Sequence, residues 1–151
     1  MSHVKAIAMA GTAVGVLDGL AAVASAGQRG VTPDRVFQYI SSGILGRSAF
    51  EGGWPTIVLG VFLHFVVAFG ASTVFILAAR SISILNRLPF VIGPIYGVIV
   101  YFFMSEVVSA LSNVSRGPRT VSGTITGILI HIFFVGLPIA LVNARYTGDR
   151  V

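Results

Sequence analysis

Four long apolar stretches constrain this chain more than any other feature. They run roughly Val4 to Ala26, Trp54 to Ala79, Pro89 to Leu111 and Val121 to Val142. Each is close to the ~20 residues a helix needs to cross ~30 Å of hydrocarbon. The chain has 151 residues, 55% of them hydrophobic and 10% charged, where soluble domains carry about 25% charged residues. A soluble domain of that size could not bury so much apolar surface, so lipid is the solvent. The expected fold is an all-α membrane protein, a single domain over 1–151 built as a bundle of four transmembrane helices.

The punctuation fits that reading. Pro55 and Pro89 suit first-turn helix positions, where a missing N–H costs little. Pro94 and Pro138 fall inside their stretches and predict kinks or frayed starts there. Lys5 followed by an apolar run and Ala24-Ser25-Ala26-Gly27 resembles a secretory signal with its cleavage site. Asp18 inside the run argues against that, and the expectation is a retained first helix.

The first loop carries a further element. Thr32-Pro33-Asp34 is a helix start, with Thr32 as cap and Pro33 at the first helical position. Val36, Phe37, Ile40 and Ile44 then share one helical face, which predicts a short amphipathic helix over roughly 33–45 lying at the membrane surface. Gly43 and Gly46 would end it. Trp54 is placed as an interfacial anchor.

Each stretch contains one Asp, Glu or His: Asp18, His64, Glu106 and His131 in order. Such a group in hydrocarbon costs about 2.5–3.5 kcal/mol on insertion scales, so it turns inward or to a water pocket. Measured from each stretch's midpoint, Asp18 and His64 lie about 4 Å toward the first-loop side, His131 about 1 Å and Glu106 about 9 Å the same way. These four residues form the candidate polar centre or ligand site. The set lacks Glu-x-x-His or His-x-x-x-His spacing, so no metal is expected. With no Cys in the chain, thiolate chemistry is excluded.

Small residues mark the helix-packing faces. Gly11, Gly15 and Gly19 form one row, Gly93 and Gly97 a second, Gly123 and Gly127 a third, and such rows let helix backbones approach closely. Asp18 follows Gly15 by three residues, and His64 and His131 follow Gly60 and Gly127 by four, so each shares a small-residue face. Glu106 lies off the Gly93/Gly97 face. The runs Gly11-x-x-x-Gly15-Val16 and Gly93-x-x-x-Gly97-Val98 match, as do Gly60-x-x-x-His64 and Gly127-x-x-x-His131. A duplicated hairpin with a two-fold axis along the membrane normal would produce both echoes.

The basic residues give a net charge of +5. They lie between the apolar stretches, a pattern suited to phosphate headgroups and not to nucleic acid; Arg116-Gly117-Pro118-Arg119 is one such basic turn. Lys5, Arg80, Arg87, Arg145 and Arg150 fall on the side of the termini, and Arg29, Arg35, Arg47, Arg116 and Arg119 on the other. Asp34 and Glu51 offset part of the second set, which favours cytoplasmic termini.

The chain from Gly15-x-x-Asp18 through Gln38-Tyr39-Ile40-Ser41-Ser42-Gly43-Ile44-Leu45-Gly46, Gly52-Gly53, Gly60 and His64, then Tyr96-Gly97 and His131-x-x-x-x-Gly136-Leu137-Pro138-Ile139-Ala140, resembles widespread small four-span inner-membrane proteins of bacteria that have no established activity. The resemblance implies a bacterial inner membrane and supplies no site residue.

No nucleotide loop, zinc-protease helix or nucleophile elbow is present, and an enzyme is not expected. The expected role is an accessory or assembly subunit packed among other membrane subunits or against itself, with no cofactor required. Two other readings stay open. His64 and His131 could hold a haem or chlorophyll-type pigment, or Asp18, His64, Glu106 and His131 could line a proton or solute conduit.

Overall fold

A computed structural model describes residues 3–115, 117–118 and 120–147. Arg116, Arg119 and Arg150, which enter the charge reading above, lie outside the described residues. The order is α1 (His3–Gly27), α2 (Pro33–Leu45), a 3-10 turn (Gly46–Phe50), α3 (Trp54–Ala78) and a single turn α4 (Ile84–Arg87). Then come α5 (Pro89–Phe102), a π turn (Phe103–Val108) and α6 (Ser109–Leu111), followed by α7 (Val121–Ile130), a second π turn (His131–Gly136) and α8 (Leu137–Thr147). Among the described residues there is no strand.

Four helical segments are long and apolar enough to cross a membrane: His3–Gly27, Trp54–Ala78, Pro89–Leu111 and Val121–Tyr146. The chain is thus an all-helical, multi-pass membrane protein. The fourth span runs a turn beyond the expected Val142, and Asn143 shows why. It is fully buried, and its Nδ2 donates to Asn86 Oδ1 at 2.7 Å while Asn86 Nδ2 donates to the Ala79 carbonyl at 2.9 Å. That relay ties the end of the second span and the α4 turn to the fourth span, so a polar residue there extends the helix.

Both π turns widen a span by one residue. In the fourth span the Leu137 N–H reaches back to the Ile132 carbonyl. Pro138 has no N–H to offer Phe134, and its ring would clash with that carbonyl in a regular helix; the wide turn just before it relieves the conflict. In the third span the Ser109 N–H and hydroxyl both donate to the Met104 carbonyl, the hydroxyl at 3.0 Å. Pro94, by contrast, is accommodated within continuous α5.

The spans pair as two hairpins that cross alike. In the first, Gly11 lies under Phe69, Gly15 under Phe65, and a methyl at Gly19 would stand 3.1 Å from His64 Nε2. In the second, Gly93 lies against Gly136, Gly97 against Ile132, and Tyr101 against His131 with ring centroids 5.4 Å apart. Sliding the first span from Gly11 to Gly93 and the second from His64 to His131 carries each of these contacts onto the next hairpin's. This is the relation that the echoed motifs predict.

The two seams between hairpins differ. The first span lies along the fourth, where Ala6, Ala10 and Val14 share one buried cluster with Val135, Ile139 and Ala140. The second and third spans touch through Tyr96. Its hydroxyl donates to the Ala71 carbonyl at 2.7 Å, and its ring meets Phe75 at 4.9 Å. Beyond Tyr96 they part, leaving a cleft of about 480 Å³.

Helix α2 has the expected bounds, and its polar residues are the ones the protein covers. Its buried residues are Gln38, Ser41 and Ser42, whereas Ile44 is 57% exposed and Tyr39 and Leu45 are also exposed. The apolar face expected at the membrane surface, Val36, Phe37, Ile40 and Ile44, is at most half-buried. The Phe37 carbonyl presses on Gly60 of α3. Gln38 Nε2 donates to Thr56 Oγ1 at 3.4 Å, and Thr56 Oγ1 donates to the Gly53 carbonyl at 2.9 Å. In lipid the polar face is the one that must be covered by protein, and the apolar face can remain outside. Gly46 and Gly53, with φ of 61° and 59°, adopt the left-handed turns that reverse the chain on either side of the 3-10 segment.

Candidate functional site

His64 sits in the middle of α3 and points at α1. Its Nε2 lies 2.9 Å from the Gly15 carbonyl. A carbonyl only accepts, so this nitrogen carries the proton. Gly15 and Gly19 make the approach feasible, because a side chain at either position would occupy the space of Phe65 or the imidazole. The ring is packed edge-on by Phe37 at 6.4 Å and Phe65 at 5.8 Å. His64 is thereby a bond between the first and second spans.

His131 is used differently. Its Nδ1 donates to the Gly127 carbonyl at 2.9 Å, within its own helix. That leaves Nε2 as the acceptor nitrogen, beside the Tyr101 ring. The residue opens the π turn, and the Gly97 backbone packs against its carbonyl.

Asp18 lies one turn beyond Val14, on the row Ala6, Ala10, Val14 that faces the fourth span, and is half-buried. Glu106 falls within the π turn of the third span, exposed, and accepts from Ser105 Oγ at 3.5 Å. Among the described residues no hydrogen bond or ring contact joins any two of Asp18, His64 and His131. Likewise, among the described residues no three His, Asp or Glu side chains gather where an ion could be held. The two imidazoles serve two different hairpins.

Comparison with family models, characterised proteins and solved structures returns no match for this chain. Its chemistry is therefore read from its own side chains.

The glycine rows divide. Gly11, Gly15, Gly19, Gly93, Gly97 and Gly127 each lie against a neighbouring helix, Gly127 under the Tyr101 ring. Gly123 is exposed, and a methyl there would meet only its own cap, Thr120 Oγ1. Thr120 accepts from the Gly123 N–H at 3.1 Å, so Gly123 belongs to the start of α7 and not to a packing seam. Gly136, absent from the expected rows, sits where the third and fourth spans are closest, backbone against the backbones of Gly93 and Gly97. In a π turn the residue stacked on His131 is five positions on, so the row Gly127, His131 continues to Gly136.

Two hydroxyls of the second span also bond to carbonyls of their own helix. Ser72 donates to the Ala68 carbonyl at 2.8 Å and Thr73 to the Phe69 carbonyl at 2.7 Å. Two buried polar atoms have no partner among the described residues, Nδ1 of His3 at the start of the first span and Oε1 of Gln38 in α2.

One consequence is measurable. Interhelical hydrogen bonds in membranes average about 0.6 kcal/mol and reach about 1.7. Replacing His64 with leucine should destabilise the bundle within that range in a detergent-unfolding titration while leaving it folded. A loss of several kcal/mol would show that His64 does more than tie α1 to α3.

Proposed function

We propose that this is a non-enzymatic accessory or assembly subunit of a bacterial inner membrane, acting by helix packing. The observation that carries the reading is the use of its two central imidazoles. Each gives one ring nitrogen to a helix carbonyl, in separate hairpins, where a shared haem would need both directed at one iron. The hydroxyls of Thr56, Ser72, Thr73, Tyr96 and Ser109 likewise donate to backbone carbonyls. Titratable groups that carry protons across a membrane would instead be expected in a connected chain. The outer surface is broadly apolar, with Phe62, Val74 and Phe90 among its most exposed residues. It suits contact with other spans as well as with lipid.

The test is purification in mild detergent, with an absorption spectrum and a gel of what accompanies the protein. The expected result is a colourless sample with a companion in fixed stoichiometry, whose own assembly fails when this chain is deleted. A Soret or near-infrared band that disappears in His131→Leu would replace this reading with pigment binding. Proton flux in vesicles that vanishes in Asp18→Asn would replace it with a conduit.

A further inference from the structure

Helix α2 bridges the two hairpins on the first-loop side. Its Phe37 carbonyl presses on Gly60 of the second span, and its far end is tied to the end of the third span. The Asn113 N–H and Nδ2 donate there to the Gly43 and Ile44 carbonyls at 2.9 and 3.0 Å. At either end of α2 stands a glycine in the left-handed region, Gly30 with φ of 76° and Gly46 with φ of 61°. Glycines at the ends of an element absorb the dihedral changes of a hinge without steric cost.

The underside of α2 is poorly fastened. Gln38 is 4% exposed, and its Oε1 has no donor among the described residues. Turning the amide over does not cure this. The Thr56 hydroxyl already gives its proton to the Gly53 carbonyl, so an oxygen turned toward it gains a donor only if that bond is given up. The bond that Gln38 does make, from Nε2 to Thr56 Oγ1, is long at 3.4 Å. The Ser41 and Ser42 hydroxyls donate to the Gln38 and Tyr39 carbonyls of their own helix, so these bonds hold α2 to no other element. A buried acceptor without a partner carries its full desolvation cost, and that cost disappears when the helix lifts and water reaches the amide. The buried residues of α2 are all polar, so lifting exposes little apolar surface to water.

We propose that α2 is a hinged lid, latched by Asn113, that lifts from the second span and opens Gln38, Ser41 and Ser42 to the first-loop side. Lifting also takes the Phe37 ring off the edge of His64. The nitrogen of His64 that is not bonded to the Gly15 carbonyl is its acceptor, so the opened face combines that acceptor with the amide and the two hydroxyls. The position that decides the matter is Gln38. If its amide fastens α2, removing it loosens the helix; if its unpaired oxygen loads the lid, removing it tightens the helix.

The full-length protein would carry Ser41→Cys, or Ser42→Cys as a second probe, and be reconstituted in vesicles with a water-soluble maleimide on both sides of the membrane. Gln38→Met keeps the length of the side chain and removes the unpaired oxygen. It should slow labelling at both probes by about threefold or more. Gln38→Leu makes the same test if the methionine variant misfolds. Asn113→Ala removes the side-chain bond of the latch and should speed labelling about two- to tenfold, the worth of one hydrogen bond. The unfolding midpoint of the spans should stay where it is. Labelling that is unchanged or faster when Gln38 is replaced would overturn the proposal, as would labelling indifferent to Asn113→Ala. A rise in Asn113→Ala matched by an equal loss of span stability would overturn it too, because the probes would then be reached by unfolding and not by a lid.

Discussion

Replacing Gly136 with alanine is expected to cost the bundle about 2–3 kcal/mol, the upper part of the range for overpacking a filled interior. A methyl there would be driven into the Gly93 carbonyl and the Gly97 backbone. Neither is a side chain that can rotate away, so the third and fourth spans must separate. Separation would also loosen the contacts of Gly97 with His131 and of Gly93 with Ala140. The prediction is checked by thermal or detergent unfolding against Gly70→Ala, where the methyl enters open space and the gain in helix propensity is at most about 1 kcal/mol. The two substitutions should differ in sign. Equal stability of both variants would mean the spans do not cross at Gly136.

That residue also marks where periodicity stops informing. The spans were legible because length and hydropathy decide them, and Pro55 and Pro89 stand in the first turns they suit. The rows Gly11/Gly15/Gly19 and Gly93/Gly97 follow from the regular repeat of an α-helix. Gly136 does not, because the π turn inserts a residue and moves it onto the row of Gly127 and His131. The signal available was Pro138, whose missing N–H disturbs the turn before it. Gly123 errs the other way: at the start of a helix, spacing alone cannot separate a packing glycine from one that follows a cap.

The candidate polar centre was legible in depth and illegible in azimuth. Rise per residue places Asp18, His64 and His131 near one level, but their directions depend on helix rotation, which hydropathy leaves open in a span that is apolar all round. The structure turns His64 to the first span and His131 beside Tyr101 of the third, so neighbours in depth serve different seams. For α2 the apolar stripe was legible and the buried polar face opposite it was not. With lipid outside, Gln38, Ser41 and Ser42 are the residues that need protein cover.

Gly60→Leu is expected to release α2 from the second span. The Phe37 backbone lies directly on Gly60, so even a methyl would collide with the carbonyl, and a leucine more so. Because α2 is joined to its neighbours by turns at Gly30 and at Gly46, it can swing outward as a unit while the spans stay packed. Its undocking would uncover Ser41 and Ser42, which are 0% and 2% exposed, and open the Gln38–Thr56 bond. The protein contains no cysteine, so a single Ser41→Cys reports on this without background. Overpacking by 1–3 kcal/mol corresponds to a rise in thiol labelling of at least roughly fivefold, since about 1.4 kcal/mol is tenfold. The unfolding midpoint of the spans should move much less than in Gly136→Ala. Labelling that stays as slow as in the Ser41→Cys parent would show that α2 is held elsewhere, by its ties to the end of the third span. Those ties are the Asn113 N–H and Nδ2, which donate to the Gly43 and Ile44 carbonyls at 2.9 and 3.0 Å.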